Sequence, residues 1–407
     1  MMRVLGFVLL IGVALSIIGG LHYYFYLRLV RDLALSREWR LGTTTILVVL
    51  ALSLPLAMIL GRVLSSPWRE LVSWPAFLWM GAMFLLFVLL VAGDFVRAAG
   101  TLTARLLYDQ DLSDPSRRAF FARLLAGSAL AGTLGLSGIA VGAALRTPRV
   151  RRVRVALSRL PQALDGFRLV QLTDLHVGET VGLRFVNEVV RQTNALHPDL
   201  VVITGDLVDG SAEELKDTVA PLGALVARHG VYFVTGNHEY YSGVGAWLAH
   251  LPTLGIRVLR NERVVIGDRA DSFELAGVDD SSAARQTMTP GHGADVERAM
   301  AGVDPGREVV LLAHQPKEVH AAARHGVGLM LSGHTHGGQI WPFGYLVALT
   351  QPYMEGLHLH QSKTWIYVSR GTGYWGPPMR LCEPAEITHV TLTCDGPSEV
   401  DAEPNDA

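Results

Sequence analysis

Cysteine is nearly absent. Two thiols in 407 residues exclude a disulfide scaffold and a cysteine-built zinc or iron–sulfur site, each of which needs several. Charge is also scarce: 18% of residues are charged against 50% hydrophobic, and mean hydropathy is +0.29. That balance is too apolar for a disordered or nucleic-acid-wrapping chain, so no nucleic-acid partner is expected, and rather apolar for a purely soluble one. The net charge of −2 hides a division. Residues 1–155 carry 17 Lys/Arg against 7 Asp/Glu, or +10, whereas residues 156–407 carry 18 against 30, or −12. Two physically different halves meet near residue 150, and the length suits two or three domains.

The first half has the composition of a membrane domain. Val4 to Leu27 holds no charge in 24 residues, Leu41 to Leu60 none in 20, and Val72 to Val96 only Asp94. Each run meets the roughly 20 residues that an α-helix needs to cross a ~30 Å hydrocarbon layer. The aromatics Tyr23 to Tyr26 and Trp68, Trp74 and Trp79 suit the headgroup belt. Asp94, with Arg97 three residues on, reads as a local pair near the interface rather than a proton relay.

A fourth apolar stretch, Leu124 to Leu145, is rich in Gly and Ala. Ser116-Arg117-Arg118-Ala119-Phe120-Phe121 precedes it and has the form of a twin-arginine export signal placed internally. The same residues also read as the basic cytoplasmic flank of an ordinary helix whose small residues pack against neighbours. Both readings put Arg117 and Arg118 inside and the following domain outside. The expected location is therefore a cell membrane crossed several times, with the second half extracytoplasmic, although the basic residues of the loops, nine inside against eight outside, do not decide it. The expected division is a membrane domain over 1–146 (about four helices, the fourth over 121–145), a basic linker over 147–164, a globular domain over 165–395, and an acidic disordered tail over 396–407.

The globular half alternates strand and helix. Strands are expected at Phe167–Leu172, Leu200–Ile203, Val231–Val234, Val309–Ala313 and Gly328–Leu331, with helices at Phe185–Leu196 and Ala212–Val226. Buried apolar runs between amphipathic helices predict a parallel-type sheet covered by helices. Each strand ends in polar residues: Asp174-Leu175-His176, Gly205-Asp206-Leu207-Val208-Asp209, Gly236-Asn237-His238-Glu239, His314, and Gly333-His334-Thr335-His336. Ligand sites of α/β sheets gather beyond the carboxyl ends of strands. A lone strand-end histidine is more often a structural hydrogen-bonding group, and Asp-Gly or Asn-His pairs also occur as plain turns. Together, though, three carboxylates, several imidazoles and an amide without thiolate suit Mn, Fe, Zn or Co, with Mn favoured. One carboxylate shared as a bridge makes eight ligand positions, enough for two ions about 3.5–4 Å apart. The glycines at 205, 236 and 333 allow the tight turns that aim the next side chain inward.

These five ordered motifs, D-x-H, GDxxD, GNHE, a lone His and GHTHGGQ, resemble those of the calcineurin-like metallophosphoesterase superfamily, and the membrane-proximal N-terminus with GHTHGGQ is similar to its YaeI/YkuE-type branch. The resemblance covers about residues 165–395 and implies a four-layer α/β/β/α sandwich after an all-α transmembrane bundle. It implies that Asp174, His176, Asp206 and His336 hold one ion and that Asp206, Asn237, His314 and His334 hold the other. His238 would face the leaving group, and Asp209 either orients His238 or is a turn carboxylate. The implied activity is phosphoester hydrolysis by metal-activated hydroxide attack on phosphorus. The Arg that follows GDxxD in the family's Ser/Thr phosphatases is missing, Gly210 standing there, and Asp209 replaces the tyrosine of its purple acid phosphatases. A phosphodiester or pyrophosphate is therefore expected as substrate, and the membrane half makes a phospholipid or lipid-linked group attractive. The alternative is a non-catalytic sensor for a phosphorylated membrane ligand.

Trp341, Phe343, Tyr345, Tyr353, Tyr374 and Trp375 either line a substrate groove or pack and anchor their loops. Cys382 and Cys394 read as two free thiols, and histidines outside the motifs as surface or packing residues. The oligomeric state is not legible.

Overall fold

A computed structural model describes residues 2–61, 63–64, 68–108, 115–268, 271–283 and 291–401. Two compact units result: one runs to Val141 and includes Gly376–Pro378, and the other starts at Gly142 and comprises the rest.

The first unit contains helices α1 (Met2–Tyr26), α2 (Arg37–Leu60), α3 (Trp68–Tyr108) and α4 (Pro115–Ala144). The four apolar runs lie within these helices or their immediate ends, and all four helices are long and apolar enough to cross a membrane. Glu38 and Glu70 in the first turns of α2 and α3 complement the positive helix ends. Phe25, Leu47, Leu54, Met83 and Leu86 form the shared interior, while Ile46, Val49, Leu52, Met58 and Ile59 point outward, the arrangement a lipid solvent permits and water does not.

The expected local pair of Asp94 with Arg97 forms, at 3.4 Å, and distant residues join it. Asp94 also accepts from Tyr24 Oη at 2.7 Å and Arg28 Nε at 2.9 Å. A π-helical turn, Leu27–Arg31, continues α1 and carries Arg28 to Asp94 on α3.

The second unit is built on strands β1 (Arg149–Ala156), β2 (Phe167–Leu172), β3 (Leu200–Thr204), β4 (Val231–Val234), β5 (Ile256–Val258), β6 (Glu262–Asp268), β7 (Asp271–Gly277), β8 (Val309–Leu312), β9 (Leu329–Ser332), β10 (Gly356–His360), β11 (Thr364–Val368), β12 (Glu386–Thr393) and β13 (Glu399–Val400). One sheet has the order β13-β1-β12-β2-β3-β4-β5, the other β10-β11-β9-β8-β7-β6. Residues of both, among them Leu169, Val202, Phe273, Val310, Leu331 and Val390, form the central core between the facing sheets. The outer face of the first sheet is covered by α5 (Leu183–Ala195), α6 (Ala212–Val219) and α8 (Val244–His250), and that of the second by the helices Val296–Met300 and Val319–Arg324. Helix, sheet, sheet, helix: the unit is a four-layer α/β/β/α sandwich. In α5 the buried residues Val186, Val189, Val190 and Thr193 repeat at helical spacing. Each fully buried Val or Leu contributes about 1.5–3 kcal/mol.

Three expectations need correction. The sheets are mixed rather than parallel: β2-β3-β4-β5 and β7-β8-β9-β11 are parallel, but β12 pairs antiparallel with β2, as does β6 with β7. The stretch read as a basic linker contains β1, paired with β12 over its whole length; Val153 and Val155 are buried in the core while Arg152 and Arg154 point outward, so the arginines masked an ordinary alternation. In the expected tail, Glu399–Val400 pairs with β1, and the rest of that tail, 402–407, lies outside the described residues.

Candidate metal centre

Strand ends of both sheets converge here. Asp174 and His176 follow β2, Asp206 and Asp209 follow β3, and Asn237 and His238 open the short helix α7 (Asn237–Tyr241) after β4; His314 follows β8, while His334 and His336 follow β9. Eight of the nine residues named from the sequence come together by their ligating or hydrogen-bonding atoms, and the ninth, Asn237, opens α7 immediately before His238. The metal-ligating atoms of Asp174, His176 and His336 lie within 4.8 Å of one another, as do those of Asp206, His314 and His334, and those of His176, Asp206 and His238. Asp206 belongs to two of the sets: its Oδ2 is 3.1 Å from His314 Nε2 and 3.8 Å from His176 Nε2.

The turns that make this possible are unusual. Asp174, His176, Asp206, His334 and His336 all have φ between 49° and 72°, the left-handed region that L-residues with a Cβ avoid, at a cost of about 1–3 kcal/mol each. Two glycines give the room. A Cβ on Gly333 would collide with Asp174 Oδ2 and Thr173 Oγ1, and one on Gly236 with Asp206 Oδ1.

Hydrogen bonds behind the imidazoles fix which nitrogen faces the centre. His314 Nδ1–H donates to the Thr204 carbonyl at 2.8 Å and His176 Nδ1–H to Asp209 Oδ1 at 3.0 Å. In the neutral ring each bond leaves the lone pair on Nε2, turned inward, as metal-bound histidines require. The Nε2 atoms of His176 and His336 stand 3.1 Å apart, and Asn237 Oδ1 is buried with no hydrogen-bond partner. An orphaned amide oxygen beside converging lone pairs and two buried carboxylates fits a pair of divalent cations, for which these are the missing counter-charges.

The electrostatics agree. Burial, reinforced by Asp206, pushes the Asp174 carboxyl up. Burial also pushes at Asp206, but the His314 and His238 imidazoles outweigh it and hold its carboxyl well below the usual range. Burial opposes charge on His314, which Asp206 overcomes, raising it well above its ordinary value. His336 and His334 go the other way: burial and a neighbouring imidazole lower both, His334 to about 4, so they stay neutral and available as ligands. His238 is raised to about 9, the Asp206 and Asp209 carboxylates prevailing over burial. Its Nδ1 lies 2.5 Å from Asp209 Oδ1.

The profile of calcineurin-like phosphoesterases matches residues 167–338. Across 385 residues, 93% of this chain and 97% of its relative, the sequence is 31% identical to an uncharacterized metallophosphoesterase of Campylobacter jejuni. The chain belongs to the calcineurin-like phosphoesterase family. It is 31% identical, over 58% of its length and 82% of the relative's, to the uncharacterized metallophosphoesterase YkuE of Bacillus subtilis. It is 45% identical over 64% of its length to a transmembrane protein with metallophosphoesterase domain of Bos taurus, and it spans 60% of that protein.

Around the family motifs stand residues that sequence reading gave no role. Glu239, the last letter of GNHE, accepts the amides of Asp206, Leu207 and Gly236 at 3.1, 2.7 and 2.6 Å, tying the β3 and β4 turns together; burial, with Asp206 nearby, raises its carboxyl to about 7. Asp280, just beyond the end of β7, accepts from Gln315 beside His314 at 2.8 Å. It follows the same rule of polar strand ends, but β7 itself was not recognised. Arg380, fully buried, donates to the carbonyls of Arg370, Gly373 and Glu383 and lies 3.3 Å from His336 Nδ1; no local signal announces it. Cys382 and Cys394 are free thiols.

Proposed function

We propose that this chain is a membrane-anchored, dinuclear-metal phosphoesterase acting on phosphodiester or pyrophosphate bonds, with a phospholipid or lipid-linked group as substrate. The observation that carries the reading is the three overlapping sets of ligating atoms on Asp174, His176, Asp206, His238, His314, His334 and His336, with the orphaned Asn237 Oδ1 on the residue next to His238. Asp174, His176, Asp206 and His336 would hold one cation, and Asp206, Asn237, His314 and His334 the other. Oxygen and nitrogen donors without thiolate favour Mn, with Fe, Zn and Co the other candidates. The chemistry such a pair supplies is Lewis-acid polarisation of the phosphoryl oxygens and acidification of water.

The protein's own groups do the rest. Asp209 accepts from His238 Nδ1–H, fixing the tautomer and keeping the ring cationic, so that Nε2–H can donate to the leaving oxygen, a contribution of about 10²–10⁴-fold for a positioned acid. The same Asp209 oxygen accepts from His176 and so sets the leaving-group acid and a metal ligand in register. Gly210 after Asp209, with no arginine there to take a second phosphate charge, supports a diester or pyrophosphate over a phosphoprotein. The Ser116-Arg117-Arg118 sequence at the head of α4 supports a domain outside the cytoplasm; a reporter fused after residue 407 that is active only in the cytoplasm overturns that placement.

The test is the purified full-length protein with Mn²⁺ and bis-p-nitrophenyl phosphate, its metal content measured in parallel. Turnover by the native protein, lost in Asn237→Ala and His238→Ala, is the expected result. Bound metal without turnover above those variants replaces the enzyme with a binding module.

A further inference from the structure

Residues 337–354, directly after His336, contain no charged side chain in 18 positions. In the middle of a water-soluble fold such a run belongs in the core. Here its central part lies on the surface: Trp341, Phe343, Tyr345, Leu346 and Leu349 are all exposed, Tyr345 to 71% and Leu349 to 80%. Five large apolar side chains within nine residues make a contiguous patch of the kind that marks an interaction site, and Trp, Tyr, Phe and Leu together are the composition of segments that rest at the headgroup–acyl boundary.

The patch is continuous with the metal centre. Gln339, at its start, exchanges two hydrogen bonds with the backbone of Trp375, at 2.9 and 2.8 Å, and the Trp375 ring stands 5.7 Å from His238. The Tyr241 ring lies 5.2 Å from the same imidazole. Gln339 and Trp375 thus link the start of the loop to the leaving-group side of the site. What covers the loop is indicated by the chain itself. Four residues separate Ala144, the end of the last membrane-length helix, from Arg149 at the start of β1, a reach of about 18 Å at most, so the domain is held next to a bilayer.

We infer that Trp341–Leu349 is an interfacial loop that enters the acyl–headgroup boundary of that bilayer and presents the phosphoester of an amphiphile to the metal centre. The inference rests on the phosphoesterase reading for its substrate, but not for its insertion. An amphiphile's headgroup phosphate needs to rise only slightly from the membrane plane if the loop sinks to meet it, and its apolar tail stays in contact with Trp375 and the loop side chains.

Two measurements on the full-length protein in nanodiscs test it. In a Cys382→Ser/Cys394→Ser background, Leu349→Cys carries an environment-sensitive fluorophore; lipids bearing a shallow doxyl quencher should quench it at least twofold more than unlabelled lipids. Leu346→Asp/Leu349→Asp, both at exposed positions, should lower kcat/KM at least tenfold on a p-nitrophenyl phosphodiester of a long-chain alcohol and leave bis-p-nitrophenyl phosphate within twofold. A fluorophore untouched by the quencher, or equal rates on the long-chain substrate, overturns the loop's role; so does a fluorophore shielded by self-association in lipid-free detergent. If the native protein hydrolyses neither substrate, the phosphoesterase reading fails while the quenching result still decides insertion.

Discussion

Oδ1 of Asp209 lies 2.5 Å from His238 Nδ1 and also accepts from His176 Nδ1 at 3.0 Å. One carboxylate oxygen therefore governs both a proposed leaving-group acid and a proposed metal ligand. The burial penalty on Asp209 is outweighed by these two imidazoles, and its carboxyl is held well below the ordinary range, so it is ionised at neutral pH.

Asp209→Asn should lower kcat about 10²-fold or more and change the pH profile. His238 is raised by its carboxylate neighbours to about 9, so its acid form persists below that pH and is lost as pH rises through it. Removing the Asp209 charge moves this alkaline limb to lower pH. A limb that stays in place in the variant, measured as kcat/KM from pH 6 to 10, excludes His238 as the titrating acid.

Removal of metal is expected to abolish turnover and to lower Tm. The buried carboxylates then keep only protonated imidazoles as counter-charge, and a cation at 100 times its Kd stabilises the fold by about 2.7 kcal/mol. Thermal melts with and without chelator check this, followed by re-addition of Mn²⁺; an unchanged Tm would sink the assignment of a buried cation site.

For Asn237→Ala the expectation is asymmetric. Its Oδ1 has no partner in the protein, so the chelated protein should melt within a few degrees of native. Metal occupancy should fall by about one ion per chain when counted by mass spectrometry. A large loss of stability without loss of metal assigns the amide a structural role instead.

Gly333→Ala forces a methyl against Asp174 Oδ2 and Thr173 Oγ1. Overpacking of this kind costs about 1–3 kcal/mol, and here it also displaces a ligand oxygen. Denaturant midpoint and metal content should fall together; normal values for both would show that the turn relaxes.

How much of this was legible follows from where each side chain points. β2, β3, β4, β8 and β9 lie between layers, so they read as nearly unbroken apolar runs and their ends as polar residues; all nine candidate site residues follow those ends. β1 was missed because its outward positions are arginines, dense enough to resemble a linker. β6 and β7 hold only short apolar stretches, bounded or interrupted by Glu, Arg and Asp, and Asp280 stays hidden with them. Arg380 reaches His336 across 44 residues of chain, a distance over which no sequence periodicity operates. The polar partners of Asp94 were hidden for a similar reason, since Arg28 is 66 residues away.

The left-handed backbone at Asp174, His176, Asp206, His334 and His336 carries one more consequence. Peptide geometry, locked by the sheets, and not side-chain rotation alone, aims these donors, so the spacing they offer an ion is fixed by the backbone, and the speed of loading should depend on how readily an ion sheds its water.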